Sequence, residues 1–261
     1  MPPRYFIGRE KALVALGNTL SEHNIFLLSG EGGIGKTSLA SKFLYEEWKT
    51  KNYAHIAWFS AQNGMANAIL NLAYPLQLQF DKEDESQQFA RILQVLVNLK
   101  TAFLVFDNAD NADDLRKHYK TLCRLPNCKI LITTRNTDLP DAHFVHLEHL
   151  STAKAAELFK HHYNALTETE EAELLPPFLK AVGYNTLVIE LLAKNLTVFN
   201  KFEATYSLQK LIDDFRAKGL LGIKTTIVDT HYHDWDNAKP DTIISAMYDV
   251  ASLKAVEKQL L

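Results

Sequence analysis

The segment "GEGGIGKTSLA", Gly30 to Ala40, sets glycine at 30, 32, 33 and 35 and then turns to Lys36-Thr37 at the start of a helical pattern. The spacing Gly30-x4-Gly35-Lys36-Thr37 follows an apolar run and opens a helix, the context that gives this pattern chemical meaning. Glycines let the backbone curl so that successive N–H groups point inward at phosphate oxygens, and the helix start beyond them adds its positive end. Lys36 is then a point charge for β- and γ-phosphates, and the Thr37 hydroxyl is placed to ligate Mg²⁺. Average residue usage produces this pattern by accident in a chain of this length on the order of once in a hundred.

A phosphate–Mg²⁺ site also needs a carboxylate, normally where a neighbouring strand ends. "FLVFD" supplies four apolar residues and then Asp107, which makes Asp107 the candidate metal-side acid. The next apolar run ends in "TTRN", so Arg135 leaves the sheet on the same edge, where a γ-phosphate would sit.

The elements that must position these groups are short apolar runs alternating with amphipathic stretches, the pattern of a parallel α/β sheet. The runs are "IFLLS" (25–29), "HIAWF" (55–59), "FLVFD" (103–107), "KILIT" (129–133) and "FVHLE" (144–148). They lack polar/apolar alternation, which predicts strands covered on both faces. Five strands joined by crossover helices are expected over 25–149, and Phe89, Leu93, Leu96 and Val97 mark one face of such a helix.

After Leu150 the strand signal stops. Ser151 reads as the N-cap of "STAKAAELFKHHY", and Thr167 and Glu170 stand at capping-box spacing. "TLVIELLAKNLTVF" (186–199) is apolar nearly all round and predicts a buried helix. Another helix follows in "SLQKLIDDFRAKGLLG", stopped by Gly219 and Gly222. "VDTHYHDWDNAKPD" (228–241) reads as a linker, and His231 and His233 have no third ligand at fitting spacing. The predicted division is a nucleotide-binding domain over 1–150, a small all-helical domain over 151–227, and a linker with a further helix over 228–261. That last stretch carries Ile243, Ile244, Met247, Tyr248, Val256 and Leu260 at helix-like spacing and stops at Leu261 in mid-pattern, as expected of a piece of a longer protein.

Composition removes several classes. The 261 residues are 47% hydrophobic, ample for a buried core, and the net charge of −3 comes with no Lys/Arg block to mark a duplex nucleic acid site. Cys123 and Cys128 alone make neither a disulfide framework nor a four-ligand zinc site. No apolar run is long enough to cross a bilayer and no signal-peptide layout opens the chain, so a cytoplasmic location is expected.

In order, "FIGRE" (6–10), "GEGGIGKT" (30–37), "IAWFSAQN" (56–63), "LVFDNAD" (104–110), "ILITTRN" (130–136), "LEHLSTAKAAELF" (147–159) and "VGYNTLVIELLAK" (182–194) resemble the NB-ARC, or AP-ATPase, module of STAND signalling NTPases. Apoptosis regulators, plant disease-resistance proteins and bacterial regulators share that module. The resemblance implies a P-loop NTPase fold that holds ADP or ATP with Mg²⁺. Phosphates would sit on Gly30, Gly32, Gly33, Ile34, Gly35, Lys36, Thr37 and Ser38, with Thr37 and Asp107 on the metal. Phe6, Ile7 and Arg9, with Pro3, would line the adenine and ribose side, and Thr186 and Leu187 would close over the base. Arg135 would be the sensor of the γ-phosphate, and the last helix would begin a winged-helix domain whose ADP-holding His lies beyond Leu261.

Two departures from the family's pattern matter. Thr186 stands where Pro is usual, which loosens the expected contact to the base. The second acidic position is Asn108, with Asp110 two further on. Asn can hydrogen-bond a water but cannot take its proton, so hydrolysis is expected to be slow or to depend on Asp110. One arginine on a γ-phosphate is worth about 1.5–3 kcal/mol, whereas throwing a two-state equilibrium takes about 5.5 kcal/mol, so a switch must recruit other domains. The reading is therefore an ADP/ATP switch that opens and self-associates in the ATP form. The alternatives are a cycling ATPase of the AAA+ kind, the nucleotide-binding part of a winged-helix transcription regulator, and a nucleotide-stabilised scaffold.

Overall fold

The five apolar runs form β1 (Ile25–Ser29), β2 (His55–Ser60), β3 (Ala102–Asp107), β4 (Cys128–Thr134) and β5 (Phe144–His146) of one parallel sheet, ordered β2-β3-β4-β1-β5. The computed structural model describes residues 5–202, 206–220, 223, 225–228 and 239–247. Its contacts divide the chain into one unit of Met1–Glu31 with Lys36–Leu147 and a second of Gly32–Gly35 with Glu148–Leu261.

In the first unit, register decides which side chains meet. Ser29 pairs with Thr134 and Phe106 with Ile132, so β1, β3 and β4 deliver their last residues to the same edge. β1 is buried along its whole length and β3 is buried up to Asp107, as runs without alternation require. β2 departs from that expectation. It is one of the two edge strands, its ends are exposed and its middle is only half-buried, because a strand with one neighbour is covered less completely.

Helices α1 (Glu10–Glu22), α2 (Lys36–Thr50), α3 (Met65–Leu70), α4 (Glu85–Val97) and α5 (Ala112–Leu122) cover the sheet. α4 starts at a reciprocal cap between Asp84 and Gln87 and buries Ile92 and Leu96, with Phe89 and Leu93 packed beside them. Val97, expected on that face, is 43% exposed. It is the helix's last residue, turned about 100° on from Leu96 and past the rim of the contact. A second correction concerns the connections: β4 and β5 are joined by a loop over residues 135–143 and not by a helix. That loop passes from one side of β1 to the other, since β1 lies between the two strands it joins.

The second unit carries α6 (Thr152–His162), α7 (Leu175–Ala181), α8 (Thr186–Phe202), α9 (Leu208–Lys218) and α10 (Pro240–Met247). Ser151 and Ser207 cap α6 and α9 by accepting from the N–H groups of Lys154 and Lys210, and Thr167 and Glu170 bond each other reciprocally. α9 stops at Gly219, whose φ of 71° suits a residue without Cβ. α8 is the hub: Leu187, Ile189, Leu191, Leu192 and Leu196 are all but fully buried, as a helix apolar on every side must be. Its one fully buried polar residue, Asn195, accepts from the N–H of Thr226 at 3.0 Å. α10 packs on α8 with Ile243 and Ile244 buried. Pro3, Gly222, His231, His233, Tyr248, Val256 and Leu260 lie outside the described residues. None of the described helices is long and apolar enough to cross a membrane.

Candidate functional site

β1 ends at Ser29 and α2 begins at Lys36, so the glycine-rich loop starts where a buried strand stops. Lys36 is 8% exposed, and its Nζ donates to the carbonyls of Gly30 at 2.7 Å and Glu31 at 2.8 Å. Burial pushes its pKa down to about 8, opposed by the field of Asp110, assisted by Arg135, and opposed again by Asp107 and Glu31. An ammonium taken out of water and held by neutral carbonyls costs several kcal/mol that a bound polyanion would offset. That is the first reason these residues fit a polyphosphate.

The second lies across the strand ends. Asp107, last residue of β3, accepts from the Thr37 hydroxyl at 3.0 Å through Oδ1 and at 3.1 Å through Oδ2. Oδ1 also accepts from the Thr133 hydroxyl of β4 at 2.5 Å. Burial raises the Asp107 pKa, while these two hydroxyls and Lys36 favour its charged form. A carboxylate and a hydroxyl converging at this separation are hard oxygen donors of the kind Mg²⁺ takes, one or two from protein with phosphates and water completing the shell. The donor set therefore fits a divalent cation.

Asn108 follows in the left-handed region, φ 66°, which Asn and Asp tolerate better than other side chains. Its N–H donates to Thr133 Oγ1 at 2.9 Å, so Thr133 holds both Asp107 and the turn after it. Asp110 does not stand free as a base. Its Oδ2 lies 3.0 Å from Arg135 Nε and its Oδ1 accepts from the Arg135 main-chain N–H at 2.6 Å. The turn beneath is fastened by Asn136, whose Nδ2 donates to the carbonyl of Asp110 at 3.1 Å, and by Thr134, whose hydroxyl donates to the carbonyl of Ala109 at 2.7 Å.

The other candidate residues fall into two groups. Phe6, Ile7 and Arg9 precede α1, which packs against β1, β5 and α2; Ile7 and Arg9 are buried, and burial lowers the Arg9 pKa. Ser38 lies in the first turn of α2 and is half-buried. Within the second unit, the loop tip is held by the start of α8. Asn185 Nδ2 donates to the carbonyl of Gly32 at 2.9 Å, the Leu187 N–H to Gly33 at 3.0 Å, and the Thr186 hydroxyl to Ile34 at 3.1 Å. Asn185 also caps α8, its Oδ1 accepting from the N–H groups of Leu187 and Val188. Gly33, at φ 73°, has no room for a side chain: a Cβ would stand 2.8 Å from Asn185 Oδ1. Sequence reasoning named Thr186 and Leu187 but passed over Asn185, although an Asn just before an apolar helix is a recognisable cap. It also passed over Thr133 and Asn136, which belong to the quoted "TTRN" but show their partners only once β3 and β4 are in register.

The profile of the NB-ARC domain family matches residues 9–168, more than half of the chain. The chain belongs to the NB-ARC family. Among proteins similar to this NB-ARC chain is the regulatory protein AfsR of Streptomyces griseus, 25% identical over 224 residues, or 81% of this chain and 23% of AfsR. Among solved structures, a signal transduction ATPase with numerous domains (STAND) with a tetratricopeptide repeat sensor, from Pyrococcus horikoshii, superposes at a TM-score of 0.56. It is 18% identical, and the match covers 100% of this chain and 44% of that one. Cdc6p from Pyrobaculum aerophilum gives 0.59 at 17% identity, covering 78% of this chain and 65% of that one. At such identities the structural likeness shows the P-loop NTPase fold. The chain spans about a quarter of AfsR and less than half of the STAND protein. It is thus a nucleotide-binding module of a kind found within much longer proteins.

Proposed function

We propose that this NB-ARC module is the ADP/ATP-dependent switch of a larger signalling or defence protein. The observation that carries the reading is the pairing of a buried, carbonyl-held Lys36 with a Thr37–Asp107 oxygen pair at the same strand edge. Lys36 and the loop amides would hold the β-phosphate, Thr37 and Asp107 would hold Mg²⁺, and Arg135 would meet the γ-phosphate. Bound there, Mg²⁺ would neutralise charge across the terminal phosphates. Phe6, Ile7 and Arg9 would line the adenine and ribose.

Slow hydrolysis suits a switch, and the strand edge favours it: Asn108, which follows Asp107, cannot accept a proton from water. The ADP form would be closed and the ATP form open to self-association through the other domains of the longer protein. Sustained multiple turnovers per second would replace this reading with a cycling ATPase of the AAA+ kind.

Isothermal calorimetry with ADP tests the site. Lys36→Ala should abolish detectable binding, and an ADP affinity equal to that of the unaltered chain would overturn the assignment. Chromatography of nucleotide released on denaturing the purified protein identifies the base, with adenine expected.

A further inference from the structure

Resting on the polyphosphate reading above, we propose that Asp110 is a latch on Arg135 through which the site distinguishes a nucleoside triphosphate from a diphosphate. Asp110 lies in the turn after β3, and Arg135 is the first residue past β4. One carboxylate takes both ends of the arginine: Oδ2 pairs with the guanidinium Nε at 3.0 Å, and Oδ1 accepts the main-chain N–H at 2.6 Å. The carboxylate has little freedom to leave. Asn136 grips the Asp110 carbonyl, and the Ala109 N–H donates to the Thr133 carbonyl at 2.9 Å, locking the turn to β4.

A guanidinium binds a carboxylate and a phosphate with the same planar fork, so the two compete for it. A diphosphate held by the loop leaves the pair undisturbed. One further phosphate at this edge adds negative charge beside Asp110 and offers Arg135 a second anion. The side chain can change partners while its main-chain bond to Oδ1 keeps it within reach. Arg135 side-chain exposure of 45%, against 27% for Asp110, leaves the arginine as the member able to swing. A triphosphate thus breaks a contact that a diphosphate spares, and the Asp110–Arg135 pair sets the ratio of the two affinities.

The test compares Kd for ADP and for a non-hydrolysable ATP analogue, both with Mg²⁺, in the unaltered chain, Asp110→Asn, Arg135→Ala and the double variant. Asp110→Asn should raise the preference for the triphosphate about tenfold in the unaltered background and at most about twofold when Arg135 is already Ala. An unchanged preference, or an equal shift in both backgrounds, would overturn the latch and leave the polyphosphate site standing. An unaltered chain that binds neither ligand would overturn the underlying reading and the latch with it. Should Asp110→Asn fail to fold, Asp110→Ser gives the same readout.

Discussion

At the scale of single residues, the site is built from groups that are costly to the fold. Lys36 is a buried cation whose near partners are carbonyls, and breaking no salt bridge accompanies its removal. Lys36→Met keeps the length of the stem and deletes the charge, so it should stabilise the chain by about 1–3 kcal/mol while losing the ligand. Urea denaturation without nucleotide reads the first effect; a Met variant less stable than the parent would contradict the strain assigned to the ammonium. Gly33 presents the opposite case. Gly33→Ala forces a Cβ to 2.8 Å from Asn185 Oδ1 in a left-handed backbone, and should cost about 2 kcal/mol or more by the same measurement. A neutral outcome would mean that the loop tip shifts freely. These residue identities were readable from the glycine spacing and the Lys-Thr that follows; the partners of Gly33 were not, because Asn185 is 152 positions away in the chain.

At the scale of elements, helices are placed by a few buried contacts that periodicity finds only in part. α5 carries His118 against Asp114, with Nε2 to Oδ1 at 3.4 Å, while the ring of Phe89 from α4 lies 5.3 Å away. The other Asp114 oxygen accepts from the Met65 N–H at 2.6 Å and so ties α5 to α3. His118 is 7% exposed, and burial lowers its pKa, with Asp114 opposing and Lys117 assisting. The unfolded chain therefore binds a proton before the folded one does. The stability His118 contributes is present above pH 6.5 and is lost as pH falls below it, at no more than about 1.4 kcal/mol per pH unit. His118→Gln should flatten the loss of stability between pH 7 and pH 5; an unchanged slope would remove His118 from the account. Caps were legible one by one where residue type and spacing coincide, as at Ser151 and at Thr167 with Glu170, whereas the Ser207 cap of α9 was passed over. Val97 was not, because periodicity gives a face and says nothing of where the neighbour covering that face ends. The loop joining β4 to β5 escaped for a related reason: alternation of strands and helices is a habit of the fold, with no physical requirement at the last crossing.

At the scale of the whole molecule, the sheet order and the two units state what a switch would have to work with. The second unit claims Gly32–Gly35, so the tip of the glycine-rich loop and the start of α8 form one bonded cluster. If the module acts as the proposed switch within a longer protein, exchange of ADP for a non-hydrolysable ATP analogue should change that protein's sedimentation coefficient, toward faster species if the ATP form self-associates. Identical profiles in both nucleotides would leave a static scaffold as the better description.

By itself the amino-acid order determined the kind of fold, the strands and their sequence, and the loop, lysine, threonine and acid that could hold a phosphate with its Mg²⁺. Those features are local: strand identity follows from short apolar runs, and the loop from glycine spacing within eight residues. Only the tertiary structure decided that Asp110 is bound to Arg135, that Thr133 supports Asp107, that β2 is an exposed edge, and that Asn185 reaches Gly32. Each of these depends on the register of strands or on contacts between residues far apart in the chain. Residue type states what a side chain can bond, and packing alone chooses which partner comes within 3 Å.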